Sequence, residues 1–412
     1  MNASLPAAAL SAAAAVDLAA LPLIEKWVSF ASVSRDSNLP LIDWTEAHLR
    51  ALGVADMRRT FDDSGLKCNL WVTLPAHDGE SKVGGLVLSG HTDVVPVDGQ
   101  PWDTDPFSVV HKDGRLYGRG VTDMKSFGAT ALMMVPELLR RRLRRPVHLA
   151  FSYDEEVGCI GVRRLIADMV AQGYKPAGCI VGEPTGMQVV VAHKGKHAYR
   201  TAVRGCEAHS SLTPLGVNAV EIACEFVAYL KSMHRELATH GPFDPVYDVP
   251  HTTIHTGVIH GGTALNIIPR DCEILWEIRH HHLDTPEALF ARARAFADGL
   301  VPAMQAVAPD TGFQHELRSV LPGFATAPDS ETAKLCFDCA GVDLSQGIDS
   351  VSVGKVSFGT EAALFHQAGV PTIVCGPGHI AQAHQPNEWI TLDQLAQCER
   401  FMRRLAGHVC VQ

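Results

Sequence analysis

The 412-residue sequence has no apolar run that approaches the ~18–20 residues that a helix needs to span a bilayer. It also has no excess of positive charge, since 35 basic residues face 45 acidic ones, and the net charge of -10 disfavours non-specific binding to nucleic acid. The eleven cysteines are an odd number in a long chain, which favours reduced thiols and a cytoplasmic location over a disulfide framework. With 46% hydrophobic and 19% charged residues, the chain is predicted to bury a sizeable core rather than be disordered.

The N-terminal segment is rich in alanine, with ten alanines among the first twenty residues, and could imitate a secretory signal peptide. The basic segment of such a peptide is missing, because the first positive residue is Lys26, and Asp17 interrupts the apolar stretch. We therefore expect an alanine-rich tail that leads into the first helix, with secretion as the minor alternative.

Several sequence motifs of catalysis and nucleotide binding are absent. The chain has no G-x-S-x-G elbow, no P-loop G-x-x-x-x-G-K-[ST] and no H-E-x-x-H. The glycines of GRGVTD at 118–123 lack the third glycine of a dinucleotide fingerprint, which disfavours an NAD-dependent oxidoreductase. Cys336 and Cys339 form a single C-x-x-C on a helix predicted at 331–340, and we interpret them as structural.

The order of predicted elements indicates two structural units. In the first part of the chain, apolar runs and helical spacing predict alternating strands and helices, with strands at 68–74, 85–89, 147–153 and 178–181. Residues 198–317 then follow a βαββαβ order, which is typical of a ferredoxin-like module. We expect an α/β layered catalytic domain, residues 1–192 and 311–412, with a mostly parallel central sheet. An inserted ferredoxin-like dimerisation or lid domain, residues 193–310, interrupts it.

Histidine and acidic side chains are concentrated in five short segments, four of which directly follow predicted strands. These segments contain His91-Thr92-Asp93, Asp123 before a helix, Asp154-Glu155-Glu156, Gly182-Glu183-Pro184-Thr185, and His379 with His384. Each has an ordinary alternative: a histidine in a turn, a helix N-cap for Asp123, or a solvated run of charge. Because the carboxyl ends of parallel strands meet at one edge of a sheet, we expect the segments to converge there.

Convergence would place histidines and several carboxylates in one cluster. Three consecutive carboxylates at the end of a buried strand are costly unless a cation neutralises them. A mixed nitrogen and oxygen ligand set of this size suits two borderline divalent ions bridged by one carboxylate better than it suits one ion. Asp93 could accept the second ring N–H of His91 and fix its tautomer. A spare neighbouring carboxylate could act as a general base.

These segments resemble those of a known family. HTDVVP, GRGVTDMK, DEEVG, GEPT and a late histidine resemble, in order, the signature segments of the di-zinc aminoacylase and carboxypeptidase family of amidohydrolases. Three longer stretches resemble its acetylornithine deacetylase branch, namely GGLVLSGHTDVVPVDGQPWDTDPF, LYGRGVTDMK and SFGTEAALFHQAGVPTIVCGPG. The resemblance implies two divalent ions, with zinc as the usual metal and cobalt as a substitute.

The resemblance also implies a role for each ligand residue. His91 and Glu183 would bind one ion, His384 and Glu156 the other, and Asp123 would bridge them through a carboxylate that precedes a cis peptide bond. These assignments are expectations for the structure.

Further residues take catalytic and substrate-binding roles by the same resemblance. Glu155 would be the general base, Asp93 would orient His91, and His209 would reach the active site of the partner subunit in a homodimer. The substrate would be held by residues of the insert and of a late loop: Asn266, Arg279, Gly359, Thr360 and Glu361.

Some positions depart from the branch, and several related activities stay open. Thr122 and Ser126 stand where Cys and Gly are commoner, and His379 and Asn387 stand where Ser and Asp are expected. None of these departures removes a ligand, so they bear on the preferred side chain of the substrate. The alternatives are a succinyl-diaminopimelate desuccinylase, an aminoacylase, a glutamate-releasing carboxypeptidase, or a non-catalytic relative that binds acyl amino acids.

Overall fold

The computed structural model describes residues 18–348 and 351–411, so most of the alanine-rich N-terminal segment lies outside the described residues. The α-helices of these ranges are α1 (Leu21–Val28), α2 (Leu39–Ala51), α3 (Lys125–Arg140), α4 (Ile160–Ala171), α5 (Ala219–His240), α6 (Pro286–Val307), α7 (Glu331–Ala340), α8 (Ala362–Gln367) and α9 (Leu392–Val409). None of these helices combines the length and the apolar character of a membrane span.

The β-strands of the same ranges form three sheets. They are β1 (Met57–Phe61), β2 (Cys68–Leu74), β3 (Leu86–His91), β4 (Val110–Lys112), β5 (Arg115–Tyr117), β6 (Val147–Ser152), β7 (Gly178–Pro184), β8 (Val190–His193), β9 (Gly195–Arg204), β10 (Thr253–Gly261), β11 (Asp271–His280), β12 (Gly312–Leu321), β13 (Phe324–Ala325), β14 (Gly354–Val356), β15 (Thr372–Gly376) and β16 (Trp389–Thr391). Several predicted elements have the observed bounds, including the strand at 68–74 and the helix at 331–340.

The large sheet has the strand order β1-β2-β6-β3-β7-β15-β8-β13, with β14 also paired to β8. Strands β6, β3, β7 and β15 run parallel at its centre, and antiparallel pairs extend it on both sides. The predicted α/β architecture with a mostly parallel central sheet is therefore confirmed.

Helices cover both faces of the large sheet, and each face has its own hydrophobic core. The core on one face includes Trp27 of α1, Phe127 of α3 and Phe401 of α9, all at most 1% exposed. The core on the other face includes Val162 of α4 and Phe365 of α8. Because both faces are covered, the central strands are buried along their whole length, which explains their nearly continuous apolar sequences.

The inserted unit is a four-stranded antiparallel sheet with the order β10-β11-β9-β12, packed on α5 and α6. Its chain order, β9-α5-β10-β11-α6-β12, is the predicted βαββαβ succession. Side chains of β9 alternate between buried and partly exposed positions, as expected for a sheet with helices on one face only. Because β12 pairs with β9, it belongs to the inserted unit. The chain therefore returns to the large unit after Leu321, about ten residues later than the predicted boundary at residue 310.

A small three-stranded sheet, in the order β16-β5-β4, was not predicted. Its strands have three residues each, which is too short for a recognisable hydrophobic alternation. The pairing of β16 with β5 brings the segment that follows His384 against the segment that precedes Asp123.

Candidate metal centre

The predicted site residues lie where the central parallel strands end. His91 is the last residue of β3, Glu155 and Glu156 follow the end of β6, and Glu183 is the penultimate residue of β7. Asp123 lies two residues before α3. The parallel pairing of these strands explains why groups that are far apart in sequence meet at one edge of the sheet.

Five of these side chains form two overlapping groups of candidate metal ligands. In the first, His91 Nε2 lies 3.0 Å from Asp123 Oδ1 and 3.7 Å from Glu183 Oε1. In the second, His384 Nε2 lies 3.3 Å from Asp123 Oδ2 and 3.0 Å from Glu156 Oε2. Within each group the candidate ligand atoms lie within 4.8 Å of one another. Asp123 thus presents one carboxylate oxygen to each group, which is the arrangement of a bridging ligand.

The backbone at Asp123 has the expected special conformation, since the Asp123–Met124 peptide bond is cis. His384 has a left-handed backbone with φ of 63°, in a segment between β15 and β16 that has little regular structure. Both ligands therefore depend on loop conformation rather than on a regular helix or strand.

Burial disfavours the charged forms of three carboxylates at the site. Burial, together with the like charges of Glu156 and Asp123, raises the pKa of Glu155 to about 8. Burial also raises the pKa of Glu156 to about 6 and that of Glu183 well above its ordinary value. Oε1 of Glu183 is buried without a hydrogen-bond partner. Divalent cations would satisfy both deficits, so the donor set fits a pair of them.

The two histidines are drawn toward the charged form by the same carboxylates. Although burial opposes it, Asp123 and Glu183 raise the pKa of His91 well above its ordinary value. Hydrogen bonds to Asp123 and Glu156 raise the pKa of His384 to about 10. Protons thus compete with cations for these imidazole nitrogens, because a metal ligand must be the neutral ring.

Asp93 contributes differently from the prediction. The nearest oxygen to His91 Nδ1 is the backbone carbonyl of Asp93, at 2.8 Å, whereas a side-chain oxygen of Asp93 lies 3.6 Å away. The Asp93 carboxylate instead accepts the backbone N–H groups of Glu155 and Glu156, at 3.1 and 3.4 Å, and the hydroxyl of Ser34. It therefore orders the start of the segment that carries the predicted general base.

The predicted residues of the insert are not part of this cluster. His209 is exposed, and its Nδ1 lies 2.8 Å from the hydroxyl of Ser211. Asn266 is exposed as well, and Arg279 donates a hydrogen bond from Nε to Glu277. Within this single chain, the structure does not bring His209 into either ligand group.

The loop predicted to face the substrate is largely buried. Glu361 is fully buried, and its two oxygens accept hydrogen bonds from the hydroxyls of Ser89 and Ser152, each at 2.6 Å. Thr360 is 1% exposed, and only Gly359 is partly accessible. In this conformation Glu361 joins β3 and β6 just before His91 and the carboxylate run, which is a structural position.

Two other predicted features also have defined places. His379 is exposed and belongs to neither ligand group among the described residues. Cys336 and Cys339 are free thiols on the buried side of α7, where they pack into the core, in agreement with a structural role. All eleven cysteines are free thiols.

Sequence reasoning missed the charged partners that complete the site. Lys67 Nζ lies 2.7 Å from Asp154, so a lysine neutralises the first carboxylate of the acidic run. Arg119 Nη1 lies 2.8 Å from Glu388, and both side chains are buried. Neither pair has a local signal, because the partners are 87 and 269 residues apart in sequence.

The chain matches a family model and named relatives over most of its length. Residues 87–408 match the sequence model described as Peptidase family M20/M25/M40. The chain is 33% identical over 387 residues to an acetylornithine deacetylase of Myxococcus xanthus, covering 93% of this chain and 95% of the relative. It is 30% identical over 385 residues to an acetylornithine deacetylase of Photorhabdus laumondii, covering 93% and 94%.

Solved structures share the fold. A tripeptidase from Staphylococcus aureus superposes with a TM-score of 0.72 at 19% identity, covering 95% of this chain and 97% of that one. A metallo-carboxypeptidase from Sulfolobus solfataricus gives 0.70 at 17% identity, covering 94% and 98%. A dinuclear metal-binding peptidase from Bacillus subtilis gives 0.65 at 14%, covering 95% and 98%. The chain therefore belongs to peptidase family M20/M25/M40 and is a hydrolase.

Proposed function

We propose that this hydrolase removes the acetyl group from N-acetyl-L-ornithine, giving L-ornithine and acetate, as a step of arginine biosynthesis. The observation that carries the proposal is the pair of ligand groups that share Asp123, with the half-buried Glu155 beside them. The choice of substrate is supported by the relatives named acetylornithine deacetylase, which match over more than nine-tenths of the chain. The eleven free thiols support a reducing compartment, the cytoplasm.

Two divalent ions, most commonly Zn²⁺ with Co²⁺ as a substitute, would be held by the five ligands. His91 and Glu183 would bind one, His384 and Glu156 the other, and Asp123 would contact both. When bound, such ions lower the pKa of a water molecule and polarise an acyl carbonyl.

Glu155 is the proposed general base. Its carboxylate lies beside the ligand cluster without belonging to either ligand group, so it is free to accept a proton from a water molecule there. It would take a proton from the attacking water and return that proton to the leaving amine. Its backbone N–H is fixed by Asp93, so that the base is held at the edge of the cluster.

The insert is proposed to complete the site from a second copy of the chain. His209 would donate a hydrogen bond to the oxyanion that develops in the partner subunit, an interaction worth on the order of 3 kcal/mol. Its exposure supports a role outside its own chain, as does the exposed apolar surface of Val258, Ile259 and Leu265 on the same unit. We therefore propose a homodimer through the insert.

Substrate recognition is assigned to the insert and to the late loop. Arg279 and Asn266 would bind the α-carboxylate of the substrate through charge-assisted hydrogen bonds. Gly359 would form the remaining surface, while Thr360 and Glu361 support it from beneath. Closure of the insert over the cluster would bring these groups to the substrate.

The test is a substrate panel combined with metal analysis of the purified protein. N-acetylornithine, N-succinyl-diaminopimelate, N-acetylmethionine and a folate-like peptide would be offered to protein of known metal content. We expect two ions per chain and the highest kcat/KM for N-acetylornithine. If another member of the panel has the highest kcat/KM, N-acetylornithine is not the preferred substrate. If the metal-loaded protein hydrolyses none of the four compounds, the proposed amidohydrolase activity is wrong.

A further inference from the structure

Two of the three candidate ligands of the second group, Asp123 and His384, come from segments outside the α-helices and β-strands. Asp123 belongs to the segment 118–124 before α3, and His384 to the segment 379–388 before β16. The His384 side chain is 51% exposed, whereas those of the other four ligands are at most 7% exposed. Neighbouring side chains therefore constrain His384 least, and its position must be set through its backbone.

A single buried carboxylate connects the two loops. Oε1 of Glu388 accepts hydrogen bonds from the backbone N–H groups of Gly120, Thr122 and Asp123, at 3.1, 2.8 and 3.1 Å. Oε2 of Glu388 is paired with Nη1 of Arg119 at 2.8 Å, and both side chains are only 1% exposed. The carboxylate thus binds the backbone of the bridging ligand itself.

Arg119 extends the connection to the backbone of His384. Its Nη2 donates to Oε1 of Gln100 at 2.6 Å, and Gln100 Nε2 donates to the carbonyl of His384 at 3.0 Å. Nη1 of Arg119 also reaches the carbonyl of Gln385 at 3.4 Å. An unbroken chain of hydrogen bonds therefore runs from the His384 backbone through Gln100, Arg119 and Glu388 to the Asp123 backbone.

Stability alone does not account for such a pair. A buried ion pair contributes little net stability, because desolvation of its two charges offsets their attraction. Its partners here are also specific, since the bonds go to the backbones of two residues that ligate the same proposed ion. In metalloproteins generally, removal of a group that orients a ligand in this way lowers the metal affinity by about 10–100-fold.

We propose that the Arg119–Glu388 pair is a positioning unit that fixes the separation of the Asp123 carboxylate and the His384 imidazole. In this way it sets the affinity for the cation that these two residues share with Glu156. The inference rests on the proposed two-cation function, but it does not depend on which acyl amino acid is the substrate.

The test measures cation binding to the full-length protein. Metal-free wild type and Glu388→Gln are titrated with Zn²⁺ by calorimetry and with Co²⁺ by visible absorption, whose bands report coordination geometry. Glu388→Gln removes the charge that pairs with Arg119, and we expect it to weaken one of the two cations about 10–100-fold. The other cation should lose less affinity, because two of its three proposed ligands, His91 and Glu183, lie on strands and only Asp123 is shared.

Glu399→Gln is the matched control. Glu399 is another buried carboxylate that accepts a backbone N–H, from Ala20 at 2.8 Å, but it lies on α9 away from the ligand loops. Both cations should bind this variant as they bind wild type. Glu388→Gln in a His384→Ala background should cause a smaller loss than in wild type, because the two changes act on the same cation through one network.

Gln100→Ala guards against a folding defect in Glu388→Gln, because Gln100 is only partly buried. It breaks the link to the His384 carbonyl and should weaken the same cation about tenfold. Circular dichroism of every metal-free sample, recorded at the titration temperature, tests whether that sample is folded.

Selective loss of one cation in these folded variants supports the inference. If folded Glu388→Gln and Gln100→Ala bind both cations within threefold of wild type, the inference is wrong, whatever the substrate. If wild type binds two cations but hydrolyses no acyl amino acid, the proposed function fails while the positioning role stands.

Discussion

The thiol of Cys159 donates a hydrogen bond to Oε1 of Glu155 over 3.1 Å. Cys159 is 1% exposed and has a left-handed backbone directly before α4, so its side chain is held against the proposed general base. Glu155 is thus held at two points, its carboxylate by this thiol and its backbone N–H by the Asp93 carboxylate.

Cys159→Ala should lower kcat roughly tenfold, equivalent to about 1.4 kcal/mol, with little change in KM, because the base loses an orienting donor. Cys159→Ser retains a donor and should stay close to wild type. Cys398→Ala, a buried cysteine on α9, is the control for the loss of a thiol from the core. Steady-state kinetics would contradict the role if Cys159→Ala behaved like this control.

Glu155→Gln should cut kcat by ~10²–10⁴-fold, because the amide cannot accept a proton. Two metal ions should remain bound, since Glu155 belongs to neither ligand group. Metal analysis and kinetics on the same preparation check this, with Glu331→Gln, at an exposed position at the start of α7, as the control. Near-normal turnover would reject Glu155 as the base.

His209→Ala should lower kcat by ~10²–10³-fold while both cations stay bound, because the change removes an oxyanion donor. Mixing it with Glu155→Gln tests whether the donor comes from the other subunit. If it does, subunit exchange should restore about a quarter of wild-type activity, because half of the dimers are mixed and each has one intact site. A mixture that stays inactive after exchange would exclude a role in trans.

Acid should destabilise the protein through buried histidines. Burial lowers the pKa of His148 to about 3, and the ring stacks on Trp71 with its Nδ1 near the hydroxyl of Thr73. Between pH 6.5 and about 3 the unfolded chain binds a proton here that the folded chain does not, so stability falls as the pH is lowered. This one group accounts for about 1.4 kcal/mol per pH unit in that window.

Urea unfolding of wild type and His148→Asn between pH 7 and pH 4 measures this contribution. The variant should lose less stability than wild type on acidification, even if it is less stable at pH 7. His260→Asn, at an exposed position on β10, is the control for the loss of an imidazole. Equal slopes for all three proteins would contradict the assignment.

Local pattern was sufficient for the longer elements. The strand at 68–74 and the helix at 331–340 have the observed bounds, because continuous apolar runs and helical spacing are properties of neighbouring residues. In the structure, the side chain of Ser330 accepts the N–H of Ala333 and caps the start of that helix. The three-residue strands were missed because they carry no such pattern.

The sequence by itself determined the architecture and the identity of the groups that meet at the strand ends, since chain order and polar residues after buried strands define where that edge lies. Only the tertiary structure decided how those groups are held. It showed that the Asp93 carbonyl faces His91, that Glu361 is buried under β3 and β6, and that Arg119 pairs with Glu388. These contacts join residues that no local pattern relates. A buried charged or polar group finds its partner only when distant segments of the chain pack together.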